Sequence, residues 1–366
     1  MSQEMDEIRR LARDFAAAEI RPHVERWERE ASLDREILDQ LAELGFFGML
    51  IPEAYGGMEL PLPTYVAVLE ELAWGESAVA VTVSVHSAFA SRLILSHGSD
   101  AQRERWLGEL ASGAVLGCFA LSETNAGSDA AAIETTATRT DDGWVLNGTK
   151  RWVTNATLAG LAVVLARTDE GTAIFLVPTD NPGWVVTSRE TTMGLRPLEV
   201  ATVELRELRL GSDALLGDPA RGLEYAYSAL KTGRLGIAAQ ATGIARAALE
   251  HALEYAGERE QFGTKIREFE AIQFKLADMA TKTEAARALL QRAATSPTTL
   301  LSSMAKLYAS ETAMWVTTQA VQIYGGYGYM RDYPVEKLMR DAKATEIYSG
   351  TNEIQRLVIA RALYGS

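Results

Sequence analysis

The stretch Phe119-Ala120-Leu121-Ser122-Glu123-Thr124-Asn125-Ala126-Gly127-Ser128-Asp129 joins small residues, hydroxyls and a glycine. Small side chains let main-chain N–H groups come close to a ring or a phosphate, and the hydroxyls of Ser122 and Ser128 can donate to ring nitrogens or phosphate oxygens. Such a segment suits a cofactor rich in acceptors, although an ordinary polar loop has the same composition. A second candidate, Gly148-Thr149-Lys150-Arg151-Trp152-Val153-Thr154-Asn155, places a large aromatic two residues before a hydroxyl. On a strand Trp152 and Thr154 face one side. The indole could then cover an aromatic ring while the hydroxyl bonds its polar edge; a buried tryptophan in a strand is equally an ordinary core residue. Taken alone, Arg259 fits a solvated helix face as well as an anion site.

The elements that must position these segments fall into three. Residues 1–117 read as helical, because Ile8, Leu11, Phe15 and later Leu38, Leu41, Leu44 recur at three- and four-residue spacing. Ile51-Pro52-Glu53-Ala54-Tyr55-Gly56-Gly57 breaks that pattern as a loop would. Residues 118–212 read as β structure, with strands over 160–166 and 173–177 and turn signals at Asp142-Gly143, Asn147-Gly148 and Asn181-Pro182-Gly183. Residues 213–366 are alanine-rich and suit a bundle of about four long helices, including 235–256 and 271–292, interrupted near Ser296-Pro297 and Gly325 to Gly328.

Composition narrows the function. The 366 residues are 47% hydrophobic and 23% charged, as in soluble globular proteins, and a prior of roughly 100–200 residues per domain suggests two or three domains. No apolar run approaches the ~18 residues of a membrane span, and the charged start lacks a secretory pattern, so a cytoplasmic location is expected. One cysteine, Cys118, and histidines at 23, 86, 97 and 251 without ligand spacing predict neither disulfide nor structural metal. A net charge of -13 argues against a nucleic-acid partner.

The first two segments resemble signatures of the acyl-CoA dehydrogenase family, Leu-Ser/Thr-Glu-x-x-x-Gly-Ser-Asp and Gly-x-Lys-x-Trp-Ile/Val-Thr-Asn. Arg259 to Gly263 is similar to the family's Arg-x-x-Phe-Gly, and Gln322 to Tyr329 with Asp332, Lys337 and Asp341 matches its second long signature. The resemblance implies an α+β multidomain fold: an N-terminal α-helical domain (1–117), a middle β-barrel or sandwich domain (118–212) and a C-terminal four-helix bundle (213–366). It implies FAD held by Phe119, Leu121, Ser122, Gly127, Ser128, Trp152, Val153 and Thr154, with the indole against the isoalloxazine. Arg259, Phe262, Gln322, Ile323, Gly325 and Gly326 would reach the adenosine diphosphate half in a neighbouring subunit, and Thr351 and Glu353 join the cofactor set. Ser128, Arg234 and Gly350 are the implied substrate-binding positions. A shared cofactor implies a homotetramer or homodimer. The implied reaction is α,β-dehydrogenation of an acyl thioester, on CoA or an acyl carrier protein, with electrons leaving to an electron-transfer flavoprotein. The thioester oxygen would be polarised by the main-chain N–H of residue 349 and a flavin ribityl hydroxyl.

Ile347-Tyr348-Ser349-Gly350-Thr351 resembles the family's Ile-Tyr-Glu-Gly-Thr with serine in place of the catalytic glutamate. Some branches carry the glutamate just before the arginine of the segment here reading Leu230-Lys231-Thr232-Gly233-Arg234, and that position is Gly233. A hydroxyl is no base near neutral pH, and losing a positioned base typically costs about 10²–10⁴-fold in rate. The expectation is reduced or altered activity at Ser349. Open alternatives are a replaced residue, or a natural change with a water or a nearby carboxylate such as Glu346 taking over. Lys231 stands where relatives commonly have an aspartate on the pantetheine arm, unless the alignment slips by a residue. Relatives without the glutamate run other flavin chemistry such as β-elimination, and a non-catalytic flavin-bearing binding protein is the reading from another class.

Overall fold

A computed structural model describes residues 3–365. Helices α1 (Gln3–Phe15), α2 (Val24–Glu30), α3 (Arg35–Glu43), α4 (Leu62–Gly75), α5 (Ser77–Val85), α6 (Arg92–His97) and α7 (Asp100–Ala111) come first. Helix α4 is buried on every face from Thr64 to Trp74, and α5 from Ser77 to Ser84. Their sequences are therefore apolar all round, where a surface helix would be striped. Through a π turn at His86–Ser91, α5 runs into α6, making Ser77–His97 long and apolar enough to cross a membrane. This differs from the sequence expectation, and the reason is physical: the segment's apolar surface is buried within the protein itself.

The middle of the chain forms one sheet from β1 (Gly117–Ala120), β2 (Thr136–Thr140), β3 (Gly143–Thr154), β4 (Leu161–Arg167), β5 (Thr172–Pro178), β6 (Trp184–Arg189), β7 (Val200–Gly211) and β8 (Leu215–Leu216). The strand order is β6-β7-β3-β2-β4-β5-β8, and β1 joins parallel to β4. Asn147-Gly148, read from sequence as a turn, lies inside β3, where the register against β7 slips. Asn147 Oδ1 accepts from Glu207 N at 2.9 Å, and a Cβ on Gly148 would stand 2.4 Å from Thr135 Oγ1. The pair thus forms a bulge with a close backbone approach, a use of Asn-Gly that local sequence does not separate from a hairpin.

The last third packs α8 (Gly222–Glu258), α9 (Glu270–Thr295), α10 (Thr299–Tyr324), α11 (Pro334–Thr345) and α12 (Asn352–Tyr364). Alanines 238, 241, 245, 248 and 252 of α8 and 309, 313 and 320 of α10 are fully buried, so the two helices approach closely. Between α8 and α9, β9 (Glu260–Gln261) and β10 (Thr264–Lys265) form a hairpin. The three parts are stitched by a buried ion cluster. Lys337 of α11 donates to Asp341 at 2.6 Å and reaches Glu76, beside α5, at 2.8 Å, while Asp341 accepts from Leu195 N of the β6–β7 connection.

Candidate active site

The segment after β1 is held against β3 by a buried ion pair. Lys150 Nζ lies 2.6 Å from Glu123 and 3.1 Å from the Leu121 carbonyl, and Arg151 N donates to the Ser122 carbonyl at 2.8 Å. Glu123 also accepts from Glu134 N and Thr135 N at 2.6 and 3.1 Å. Burial would raise the Glu123 carboxyl, but the Lys150 charge outweighs it and holds the group below its ordinary value. Burial pushes Lys150 down to about 8 against the pull of Glu123. Thus Leu121 and Ser122 are fixed and half-buried, whereas Gly127 and Ser128 are exposed, with no atom within 4 Å of where a Gly127 Cβ would stand.

Trp152 lies where β3 slips register, with φ +55. That conformation is costly for an aromatic residue. It leaves Trp152 54% exposed while Val153 is buried and Thr154 half-buried. Trp152 is therefore not a core residue. An exposed indole beside a fixed polar loop with open glycine space fits a planar aromatic cofactor such as FAD. Phe119, at the start of the loop, stacks on Phe89 of the π turn with centroids 4.8 Å apart and planes at 11°.

A second group of the sequence-selected residues gathers at the end of the bundle. Arg259, Ile323, Gly325 and Gly326 line a groove of ≈ 440 Å³ together with Tyr255 and Tyr327. The Arg259 guanidinium lies 5.2 Å from the centroid of the Tyr327 ring, and a Cβ on Gly325 or Gly326 would meet nothing within 4 Å. Gln322 is exposed beside this groove. Phe262 and Gly263, at φ +52 and +78, form the two-residue turn of the β9–β10 hairpin, and the Phe262 ring is 96% exposed. Two positive φ values in succession are the mark of a type I′ turn. Among the described residues no hydrogen bond or ring contact joins this group to the Trp152 group.

The third group surrounds Ser349. Ser349 and Gly350 both have positive φ, +54 and +88. This double left-handed turn is clamped from two helices: Gln355 Nε2 donates to the Gly350 and Ser349 carbonyls at 2.9 and 3.3 Å, and Lys306 Nζ of α10 donates to the Gly350 carbonyl at 3.0 Å. Thr351 caps α12 by accepting from Ile354 N, and Glu353 is exposed in its first turn. The helix-end hydrogen bonds keep the Glu353 carboxyl below its ordinary value. Tyr348 donates to Gln240 of α8. The Ser349 N–H has no hydrogen-bond partner among the described residues. Glu346 is turned to Lys343, 2.7 Å away. A Cβ on Gly233 would stand 2.5 Å from the Phe89 ring, so a longer side chain has no room there while Phe89 holds its place.

Behind the Ser349 turn lie Arg234 and Lys306, 6% and 0% exposed. Arg234 Nη1 donates to Ser303 Oγ at 3.3 Å and its Nε has no partner. Lys306 also donates to Asn352 Oδ1 at 2.9 Å, which Ser310 Oγ shares at 3.0 Å. Burial lowers both, Lys306 to about 7 against the pull of Glu346 and with the Arg234 charge adding to the effect. Sequence reasoning selected Arg234 but passed over Lys306, Asn352 and Gln355. Their positions in ordinary helix sequence give no local sign that they meet at one loop.

Three family profiles match the chain: "Acyl-CoA dehydrogenase, N-terminal domain" over residues 2–114, "middle domain" over 118–208 and "C-terminal domain" over 220–364. The chain is 43% identical to the mitochondrial short-chain specific acyl-CoA dehydrogenase of Bos taurus, over 98% of this chain and 90% of that one. It superposes on butyryl-CoA dehydrogenase from Megasphaera elsdenii with TM-score 0.97 at 39% identity, covering 100% and 99% of the two chains. A chain from a structure described as an electron transferring flavoprotein of Acidaminococcus fermentans matches with TM-score 0.98 at 40% identity, over 100% and 99%.

Proposed function

The chain belongs to the acyl-CoA dehydrogenase family, and from that premise we propose that it is a flavoenzyme for short acyl-CoA thioesters whose general base is missing from position 349. It is an FAD-dependent oxidoreductase by that membership. Bound FAD supplies the two-electron oxidant for the β-hydrogen. Phe119, Leu121, Ser122, Gly127, Ser128, Trp152, Val153 and Thr154 would hold its ring half. Arg259, Phe262, Gln322, Ile323, Gly325 and Gly326 would hold the adenosine diphosphate half of the FAD of a neighbouring subunit in a homotetramer, with Thr351 and Glu353 beside it. Ser128, Arg234 and Gly350 would contact substrate. The similarity to enzymes named short-chain and butyryl-CoA dehydrogenases supports a short acyl group, and the chain similar to this one in the electron transferring flavoprotein structure supports such a protein as electron acceptor.

One observation carries the reading: the uncommitted Ser349 N–H on a turn clamped by Lys306 and Gln355. A fixed main-chain donor polarises a thioester carbonyl whatever side chain the residue bears, so carbonyl activation is retained. Proton abstraction is not, because a serine hydroxyl does not take an α-proton near neutral pH. The same lack, together with the blocked space at Gly233, leaves as a second reading a family flavoprotein with a different reaction, such as β-elimination, in which a group outside positions 233 and 349 would take the α-proton. Anaerobic mixing with a panel of saturated acyl-CoAs, following flavin bleaching, tests the first reading. Ser349→Glu is expected to bleach about 10²–10⁴-fold faster than the native protein with at least one short acyl-CoA. Equal rates across the whole panel would rule out either the base position or the substrate class.

A further inference from the structure

Four lysine and arginine side chains are buried among the described residues: Lys150, Arg234, Lys306 and Lys337. Two are neutralised. Lys150 holds Glu123 at 2.6 Å, and Lys337 holds Asp341 and Glu76 at 2.6 and 2.8 Å. Arg234 and Lys306 have only neutral oxygens, those of Ser303, Asn352 and the Gly350 carbonyl. They belong to one place: Ser303, which Arg234 touches, lies one turn before Lys306 on α10, and Lys306 bonds the carbonyl next to Ser349. Nearby acids are turned elsewhere. Glu346 pairs with Lys343, Glu311 pairs with Arg356, and Glu353 is exposed at the start of α12. The N-terminus of the 13-residue α12 adds its partial positive charge to the same loop.

Buried charge without a counter-charge is expensive, and folded proteins rarely keep two together. The loop whose carbonyl Lys306 bonds carries a half-buried serine, whose hydroxyl is neutral. We propose that the Ser349 turn, backed by Arg234 and Lys306, is a binding site for one small carboxylate. Its anion balances the two cations and stands where a side-chain carboxylate at 349 would stand. The inference rests on reading Ser349 as the base position. It extends that reading, because a bound carboxylate can also serve as the base: its oxygen would take the α-proton and the α C–H pair would become the α,β double bond, FAD when bound supplying the two-electron acceptor for the β-hydrogen and its pair. A free carboxylate leaves as the acid and is regenerated by loss of the proton to water, whereas a carboxyl group on the acyl chain leaves with the product. The carboxylate has two possible sources, a free anion such as formate or acetate, or a carboxyl group on the acyl chain.

The FAD-loaded protein and its Ser349→Glu variant are compared in sodium formate, acetate, butyrate and chloride at equal ionic strength, reading the unfolding temperature and the anaerobic bleaching rate with butyryl-CoA. Binding of butyryl-CoA and succinyl-CoA is measured in parallel from the flavin spectrum. For a free anion, formate and acetate raise the unfolding temperature of the native protein saturably, by a few degrees, and speed bleaching on the order of tenfold, a partial return of a base's effect. Chloride and the bulkier butyrate do neither, and Ser349→Glu responds to none. For an acyl carboxylate, succinyl-CoA binds the native protein more tightly than butyryl-CoA, and Ser349→Glu reverses the order. The proposal is overturned if the native protein shows neither behaviour, or if Ser349→Glu shows the same response as the native protein. Failure of Ser349→Glu to bleach with butyryl-CoA would count against the proposed function alone, since the unfolding temperatures still report the anion.

Discussion

At the scale of single residues, Lys306 converts the missing carboxylate into a measurable property of the folded protein. Burial, opposed by Glu346, Glu353 and Glu311 and helped by Arg234, pushes its ammonium down to about 7. In the unfolded chain a lysine keeps its proton to roughly pH 10.4. Between those values the unfolded state binds more protons than the folded one, so this residue makes stability rise with pH; below about 7 the folded protein carries the unpaired charge in full. Urea unfolding from pH 6 to 9 is therefore expected to show stability climbing above about 7 in the native protein. The climb should be absent from Lys306→Met, and should start at higher pH in Ser349→Glu, where an anion restores the ammonium. Identical pH profiles for the three proteins would remove Lys306 from this role. The serine itself was legible in the sequence, because Ile347, Tyr348, Gly350 and Thr351 frame it as a motif with one member changed. Lys306 was not legible, since its meaning lies in which groups fail to reach it, and only the packing of α8, α10 and the 349 turn decides that.

At the scale of elements, periodicity and composition located the helices and strands, and errors arose where one local pattern serves two structures. Asn147-Gly148 has the residues of a hairpin turn but sits in a bulge of β3, and the apolar Ser77–His97 helix has membrane length but lies in the core. Tertiary contact settles both. The converse case is α11, whose Lys337 and Asp341 were read as part of a signature and are structural in position. They tie α11 to Glu76 at the α4–α5 junction and to Leu195 in the sheet's β6–β7 connection, so one cluster orients all three parts around the Ser349 turn that follows α11. Lys337→Met leaves Glu76 and Asp341 as facing buried acids. Breaking a buried pair from one side costs about 3–5 kcal/mol, and denaturant unfolding should show a loss of that order. Adding Glu76→Gln to Lys337→Met should recover part of it, because the second change removes the repulsion created by the first. A double variant no more stable than the single one would mean that packing, and not charge, holds α11 in place.

At the scale of the whole molecule there are two sets of cofactor-fitting residues, which no hydrogen bond or ring contact joins among the described residues: the Trp152 group on the sheet, and the Arg259 groove at the end of the bundle. Each displays apolar surface to solvent, Trp152 at 54% and Phe262 at 96% exposure, and Phe262 is carried at the tip of a hairpin with an edge contact to Phe269, centroids 6.2 Å apart. Large exposed aromatics on rigid supports are characteristic of surfaces that bind a partner. If one FAD bridges the two sets across a subunit boundary, each subunit needs only one intact set, provided its neighbour supplies the other. Trp152→Ala with Ser128→Ala would damage the ring half, and Arg259→Ala with Gln322→Ala the diphosphate half. Each double variant made alone is expected to lose most of its flavin on gel filtration. Co-expressed and purified as a mixed oligomer through two different tags, the two should hold flavin again at those boundaries that pair an intact ring half with an intact diphosphate half. A chain that kept both halves of FAD to itself would gain nothing from mixing, because every subunit would still carry one damaged half. Flavin per mixed oligomer, read from absorbance after denaturation, therefore decides between a cofactor shared across subunits and one held within each.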